Sequence, residues 1–178
     1  PSMTTGDPSK FFYARRLAAA LAFVGLVKLD TITIQPFSNK LHDTFLCSGG
    51  RHRFMPAAEF LTALEPRETS NFLKTSRDFV NKYVQRGLLI VISDFLDDQD
   101  VLKPIQFLAD FGHEVQLVHL WAEEDRTPPW SGELELEDAE TGTHLEMSFD
   151  DAARQQYTAA FDEYAAQIRR RVMSTGGR

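Results

Sequence analysis

Apolar and polar positions along this chain fall into blocks of different period, and the changes of period mark the elements. Leu88-Leu89-Ile90-Val91-Ile92 is an unbroken apolar run, preceded by Gly87 and closed by Ser93-Asp94. With no alternation, neither face of the run expects water, which predicts a central parallel strand covered by helices on both sides. Val115 to Leu120 is similarly apolar and predicts a parallel neighbour. Asp30 to Phe37 alternates instead, with Ile32 and Ile34 set between Thr31, Thr33 and Gln35. Followed by Ser38-Asn39-Lys40 and by His42 to Cys47, it predicts an antiparallel hairpin, and Pro36 puts that hairpin toward a sheet edge.

Between these strands the period lengthens to that of a helix. Ser9 is an N-cap residue for a helix running to about Lys28. From Leu17 to Val24 that helix is apolar all round, so it is expected to be buried on most sides. A short helix is expected over Pro56 to Leu64. A longer one, Asn71 to Gln85, carries Phe72, Ser76, Phe79, Val80 and Tyr83 on one side, with Thr69 or Ser70 where an N-cap is needed. Gln99 to Phe111 turns Val101, Leu102, Ile105, Leu108 and Ala109 inward, and Gly112 suits its end.

After Thr127-Pro128-Pro129 the chain changes character: Glu133 to Glu137 and His144 to Phe149 predict a small acidic hairpin appended to the sheet. The last helix, about Asp150 to Met173, spaces Ala153, Tyr157, Phe161, Tyr164, Ile168 and Val172 at helical intervals. Helices alternating with strands give a layered α/β domain with a mainly parallel sheet, one antiparallel edge strand, a β-hairpin appendage and a C-terminal amphipathic helix. Residues 1–173 are read as one domain and 174–178 as a disordered tail.

Composition narrows the partners. The 178 residues carry a net charge of -7, which argues against unaided binding of nucleic acid. Cys47 is the one cysteine, so neither a disulfide framework nor a cysteine-rich zinc site is available, and a reducing, cytoplasmic compartment fits. No apolar run approaches the roughly 18–20 residues that cross a bilayer, so no membrane contact by this segment is expected. The chain opens at Pro1 without an initiator methionine and reads as part of something longer.

Candidate chemistry is sparse. The dinucleotide fingerprint, the P-loop and the nucleophile elbow are absent, and the five histidines share no metal-ligand spacing. His113 and His119 flank a strand and read as structural; Glu123-Glu124-Asp125 reads as a solvated loop. Asp97 or Asp98 suits the cap of the following helix. What remains is Ser2 before the first helix, Thr69 before the third and Asp94 at the end of the central strand. In a doubly wound fold those loops converge at one end of the sheet, and hard oxygen ligands of this kind suit Mg²⁺, Mn²⁺ or Ca²⁺.

Ser2-Met3 ahead of a Lys- and Arg-containing helix resembles the end of the D-x-S-x-S-M signature of von Willebrand factor A domains, and Thr69 and Asp94 match the other two parts of that family's metal-ion-dependent adhesion site. More specifically, Arg86 through Asp97, Gly112-His113-Glu114-Val115, Glu137 through Gly142 and Arg154-Gln155-Gln156-Tyr157 resemble the bacterial DUF58 family, whose C-terminal half is A-domain-like. The resemblance implies a Rossmann-like three-layer fold and a non-enzymatic protein-interaction module, similar to those that work with MoxR-type AAA+ ATPases in chaperone-like assemblies. It also implies a divalent cation held by the Ser2 and Thr69 hydroxyls and the Asp94 carboxylate. The first Asp and Ser of the signature, and the strand carrying them, fall before residue 1, so metal binding is expected to be weak or absent. The missing strand is expected to leave a gap between Thr31–Ile34 and Leu88–Ile92 that is closed by direct pairing, by self-association, or by a strand preceding residue 1. A second reading is a small Mg²⁺-dependent α/β hydrolase acting on a phosphorylated substrate through Asp94.

Overall fold

A computed structural model of the chain describes residues 2–4, 8–66, 70–96, 100–137 and 144–177. A 3-10 turn at Ser2–Thr4 leads into α1 (Lys10–Val27). Ser9 caps α1 as its sequence suggests, its Oγ accepting from the Phe12 N–H at 3.3 Å. Then come β1 (Ile32–Ile34), β2 (Phe45–Cys47), α2 (Phe54–Thr62), α3 (Phe72–Lys82), β3 (Leu88–Ser93), α4 (Leu102–Asp110), β4 (Glu114–His119), the single-turn α5 (Glu123–Arg126), β5 (Gly132–Glu137), β6 (His144–Phe149) and α6 (Asp151–Ser174). Apart from α5, the alternation read from the sequence is the alternation that folds.

The sheet differs from expectation. Instead of one mainly parallel sheet, the described residues form three separate two-stranded ribbons. β1 and β2 pair antiparallel, β5 and β6 pair antiparallel, and only β3 and β4 run parallel, in register from Leu88 opposite Glu114 to Ser93 opposite His119. No strand among the described residues bridges β1 and β3. Two expectations fail for that reason. β3 was expected to be dry on both faces, yet only Val91 is buried and Leu88 is 57% exposed. The all-apolar α1 was expected to be covered on most sides, yet Phe23, Val24 and Val27 are exposed, because a two-stranded ribbon is too narrow to roof a helix.

The core sits where α3, α4 and α6 meet the β3–β4 ribbon. Phe72, Val80, Val91, Phe95, Val101, Ile105, Leu108, Val115, Ile168 and Val172 form one buried cluster. The inward faces predicted for α4 and α6 supply five of these residues, since helical spacing alone lines them up along one side.

Three local devices also differ from the sequence reading. Asn71 caps α3, its Oδ1 accepting from the Lys74 N–H at 2.9 Å, in place of Thr69 or Ser70. The start of α4 is served by Asp100, whose Oδ1 accepts from the Leu102 N–H at 2.9 Å; that bond is the main reason its carboxyl titrates below the usual range. Asp97 and Asp98 lie outside the described residues. Residues Ser174 to Gly177 do not form a loose tail. α6 runs through Ser174, the N–H groups of Thr175 and Gly177 donate to the Val172 carbonyl, and Gly177 lies so close to Val115 that a Cβ there would stand 2.1 Å from the Val115 carbonyl oxygen.

Candidate functional site

β3 ends in a turn that the backbone alone would not choose. Phe95 has φ +51°, a left-handed conformation that costs a non-glycine residue of order 1–3 kcal/mol. Side chains hold it there. Ser93 Oγ accepts from the Phe95 N–H at 3.1 Å, and the Tyr164 hydroxyl on α6 donates to the Phe95 carbonyl at 2.5 Å. The Phe95 ring is 2% exposed and packs against Phe72 and His119, with ring centroids 5.9 and 5.6 Å apart. Asp94 is the residue this locked turn presents. Tyr164→Phe would strip the buried Phe95 carbonyl of that donor, and is expected to lower stability by about 1–3 kcal/mol in chemical denaturation. A loss within experimental error would mean the turn does not depend on the bond.

Asp94 is buried, and its partner is a cation. The Lys10 ammonium lies 3.3 Å from Asp94 Oδ2 and 2.8 Å from Asp125 Oδ2. The side chains are 4% exposed for Lys10, 7% for Asp94 and 14% for Asp125, so the three form a nearly dry cluster of two carboxylates around one ammonium. The two contacts are not equivalent. Lys10 donates a hydrogen bond to Asp125, whereas Asp94 Oδ2 stands at ion-pair distance with no donor in hydrogen-bonding geometry.

Each member arrives from a different element. Lys10 is the first residue of α1, directly after its Ser9 cap. A positive charge in the first turn of a helix opposes the helix dipole, so its position is tolerable only with carboxylates facing it. Asp125 lies in α5, where its Oδ2 also accepts from the Ala122 N–H at 2.8 Å. α5 is in turn pinned to α6: Tyr157 donates to the Asp125 carbonyl at 2.9 Å, and Arg126 makes a two-pronged contact to Asp162 with both bonds at 2.8 Å. Burial, then the Asp125 charge, pushes the Tyr157 phenol up.

His119, at the end of β4, joins the cluster from the sheet side. Desolvation lowers its pKa, opposed by an interaction with the Asp94 backbone carbonyl and by the Asp94 charge. Its Nε2 is buried without a hydrogen-bond partner, and its ring stacks on Phe161 at 6.3 Å. A cleft of about 570 Å³ opens on its other side between β4 and α6, lined by Leu117, Ile168, Val172 and Gly177 among others, but none of Lys10, Asp94 or Asp125 lines it. This cleft and the ionised cluster are therefore separate places.

The three residues named from the sequence as cation ligands fare differently. Asp94 is where the reading put it, at the carboxyl end of the parallel strand. Ser2 lies in the 3-10 turn that packs on α1, and Thr69 lies outside the described residues. Of that donor set the Asp94 carboxylate alone has a described side chain, and its Oδ2 faces the Lys10 ammonium at 3.3 Å. Among the described residues no group of three or more His, Cys, Asp or Glu side chains is arranged to hold a metal.

Sequence reasoning missed Lys10 and Asp125 altogether. The available signals were a lysine placed against the dipole in the first turn of α1, and an aspartate three residues after Ala122, the spacing of a helix-start carboxylate. The short helix at Glu123–Arg126 also replaces the solvated loop expected there.

The chain matches, over residues 2–167, the family described as Protein of unknown function DUF58. It belongs to the DUF58 family. This DUF58 chain is 32% identical over 92 residues to uncharacterized proteins of Mycobacterium tuberculosis strain H37Rv and Mycobacterium bovis, a match covering 52% of the chain and 29% of each relative. An uncharacterized Mycobacterium avium protein matches at the same identity, over 54% of its own length. The match thus spans well under two thirds of any of these relatives.

Two solved structures share the DUF58 chain's fold. One is described as an aerotolerance-related membrane protein from Bacteroides fragilis, with TM-score 0.54 and 15% identity, covering 97% of this chain and 94% of that one. The other is a conserved hypothetical protein, BatB, from Bacteroides thetaiotaomicron, with TM-score 0.51 and 14% identity, covering 98% and 93%. At that identity the likeness concerns the fold: mixed α/β with a small parallel ribbon.

Proposed function

We propose that this domain is a non-enzymatic protein-interaction module of the von Willebrand factor A kind, working with a MoxR-type AAA+ ATPase in a chaperone-like assembly. The observation that carries the reading is the setting of Asp94. It is a buried carboxylate at the carboxyl end of the parallel strand β3, held by a locked turn, and it touches the first residue of the helix that follows Ser2-Met3. Binding sites of open α/β folds gather at that end of the strands. DUF58 membership over residues 2–167 supports the same reading. Among the described residues no helix is long and apolar enough to cross a membrane, and a cytoplasmic location is part of the proposal.

The alternative, a Mg²⁺-dependent hydrolase working through Asp94, needs that carboxylate free to meet a metal. The Lys10 ammonium 3.3 Å away weighs against it. The deciding experiment is interferometry with the immobilised chain and a purified MoxR-type ATPase from the same organism, with and without nucleotide. Saturable association is expected, and its absence under both conditions would end the reading. Light scattering of the free chain, run alongside, separates that association from self-association through the unpaired edges of β1 and β3. Phosphatase activity lost in Asp94→Asn would put the hydrolase in its place.

A further inference from the structure

We propose that Lys10 is the resident cation of this strand end: its ammonium stands between Asp94 and Asp125 where a divalent ion would otherwise be required, and the site is built to work without metal. The inference does not depend on which partner, if any, docks there.

Its first support is geometry combined with burial. The ammonium is within 3.3 Å of one carboxylate and 2.8 Å of the other, and both sit in a pocket that leaves the lysine side chain 4% exposed. A buried lysine is rarely found unless it is paired, and here two carboxylates compensate it. Lys10 therefore does electrostatically what a bound ion does, which is to let two carboxylates share a dry space without repelling each other.

The second support is position. Lys10 belongs to the first helical turn, where a cation opposes the dipole and a glutamate or aspartate would be stabilising. The tertiary contact explains why a cation is kept there. The same contact ties α1 to the end of β3 and to α5, the arrangement a shared metal would create.

Third, the two occupants exclude each other. A hard divalent ion bonded to Asp94 Oδ2 would sit 2.0–2.6 Å from that oxygen. The ammonium already stands 3.3 Å from the same atom, so a divalent ion on that oxygen would meet a second cation in a nearly dry space that screens their repulsion poorly. One ammonium against two carboxylates leaves the cluster with one unit of negative charge. A divalent ion replacing it would bring the sum to zero. Removing the lysine is thus expected to convert the place into a metal site.

Three measurements on the 178-residue chain test this. In the first, Mn²⁺ is titrated and followed by electron paramagnetic resonance, and thermal unfolding is recorded in Mg²⁺ and in EDTA. No saturable Mn²⁺ binding and equal midpoints are expected. The second is the ¹⁵N-resolved spectrum of the lysine ammonium groups. One slowly exchanging signal, absent in Lys10→Met, is expected, unmoved by Mg²⁺. The third is Lys10→Ala, which should unfold at a lower temperature and regain part of the loss with added ethylammonium or Mn²⁺. The Mn²⁺ rescue should disappear in Lys10→Ala/Asp94→Asn. Saturable Mn²⁺ binding by the unaltered chain that Asp94→Asn abolishes would overturn the proposal. So would a Lys10→Ala chain that folds and gains nothing from either cation. If that variant does not fold, the Mn²⁺ titration and the ammonium spectrum of the unaltered chain decide the matter alone.

Discussion

Lys10→Met is expected to destabilise the folded chain by about 3–5 kcal/mol, because it leaves two buried carboxylates facing each other with nothing between them. Methionine matches the lysine stem in length and apolar character, so the loss measures the missing charge more than missing packing. The contact involved is dry on every side: Lys10, Asp94 and Asp125 are all at or below 14% side-chain exposure. Exposed pairs elsewhere on the chain, such as Lys74–Asp78 with both side chains near half exposed, contribute about 0–1 kcal/mol, and breaking them should barely register. A combined variant, Lys10→Met with Asp94→Asn and Asp125→Asn, is expected to recover much of the loss, since neutral amides remove the unpaired charges. Urea unfolding of the unaltered chain and the two variants, followed by circular dichroism, checks both statements. A single-variant loss below about 1 kcal/mol would mean water reaches the cluster and screens it.

Ile105→Ala is expected to cost about 2–5 kcal/mol. Ile105 is fully buried in α4, at the centre of the cluster that joins α3, α6 and the β3–β4 ribbon. Truncation removes the transfer energy of its outer methyls and leaves a void that several elements border and none can move to fill. Phe111, the residue that caps the C-terminal end of α4, is the internal control: it is 48% exposed, and substitution there should change stability much less. Equal losses at the two positions would show that the core does not lie where the burial pattern puts it.

The contrast between these two residues says what kind of fact can be read along a chain. Ile105 was legible. Val101, Ile105 and Leu108 recur at helical spacing, and spacing of apolar groups is a local property that any packed fold must respect. Ser9, the ends of α4 at Gly112, and the antiparallel hairpins at β1–β2 and β5–β6 were legible on the same grounds, since caps and turns are chosen by residues a few positions apart. Asp94 was legible in half: a carboxylate after an apolar strand must lie at the strand's end, but nothing nearby names its partner.

Lys10 was not legible. It meets Asp125 across 115 residues of chain, and the energy that joins them exists only once three elements have excluded water from between them. In the sequence each is an ordinary charge, one in a helix start and one in an acidic run. The same limit explains the sheet. Apolar runs identify strands, but pairing depends on which edges meet in space, and the described strands pair as separate ribbons instead of one continuous sheet. By itself, then, the sequence determined the order and type of the elements other than the single turn α5, and the inward faces of α4 and α6, because those follow from side-chain period and local hydrogen bonding. Only the tertiary structure decided that Asp94 faces an ammonium, because burial and charge compensation are properties of assembled surfaces.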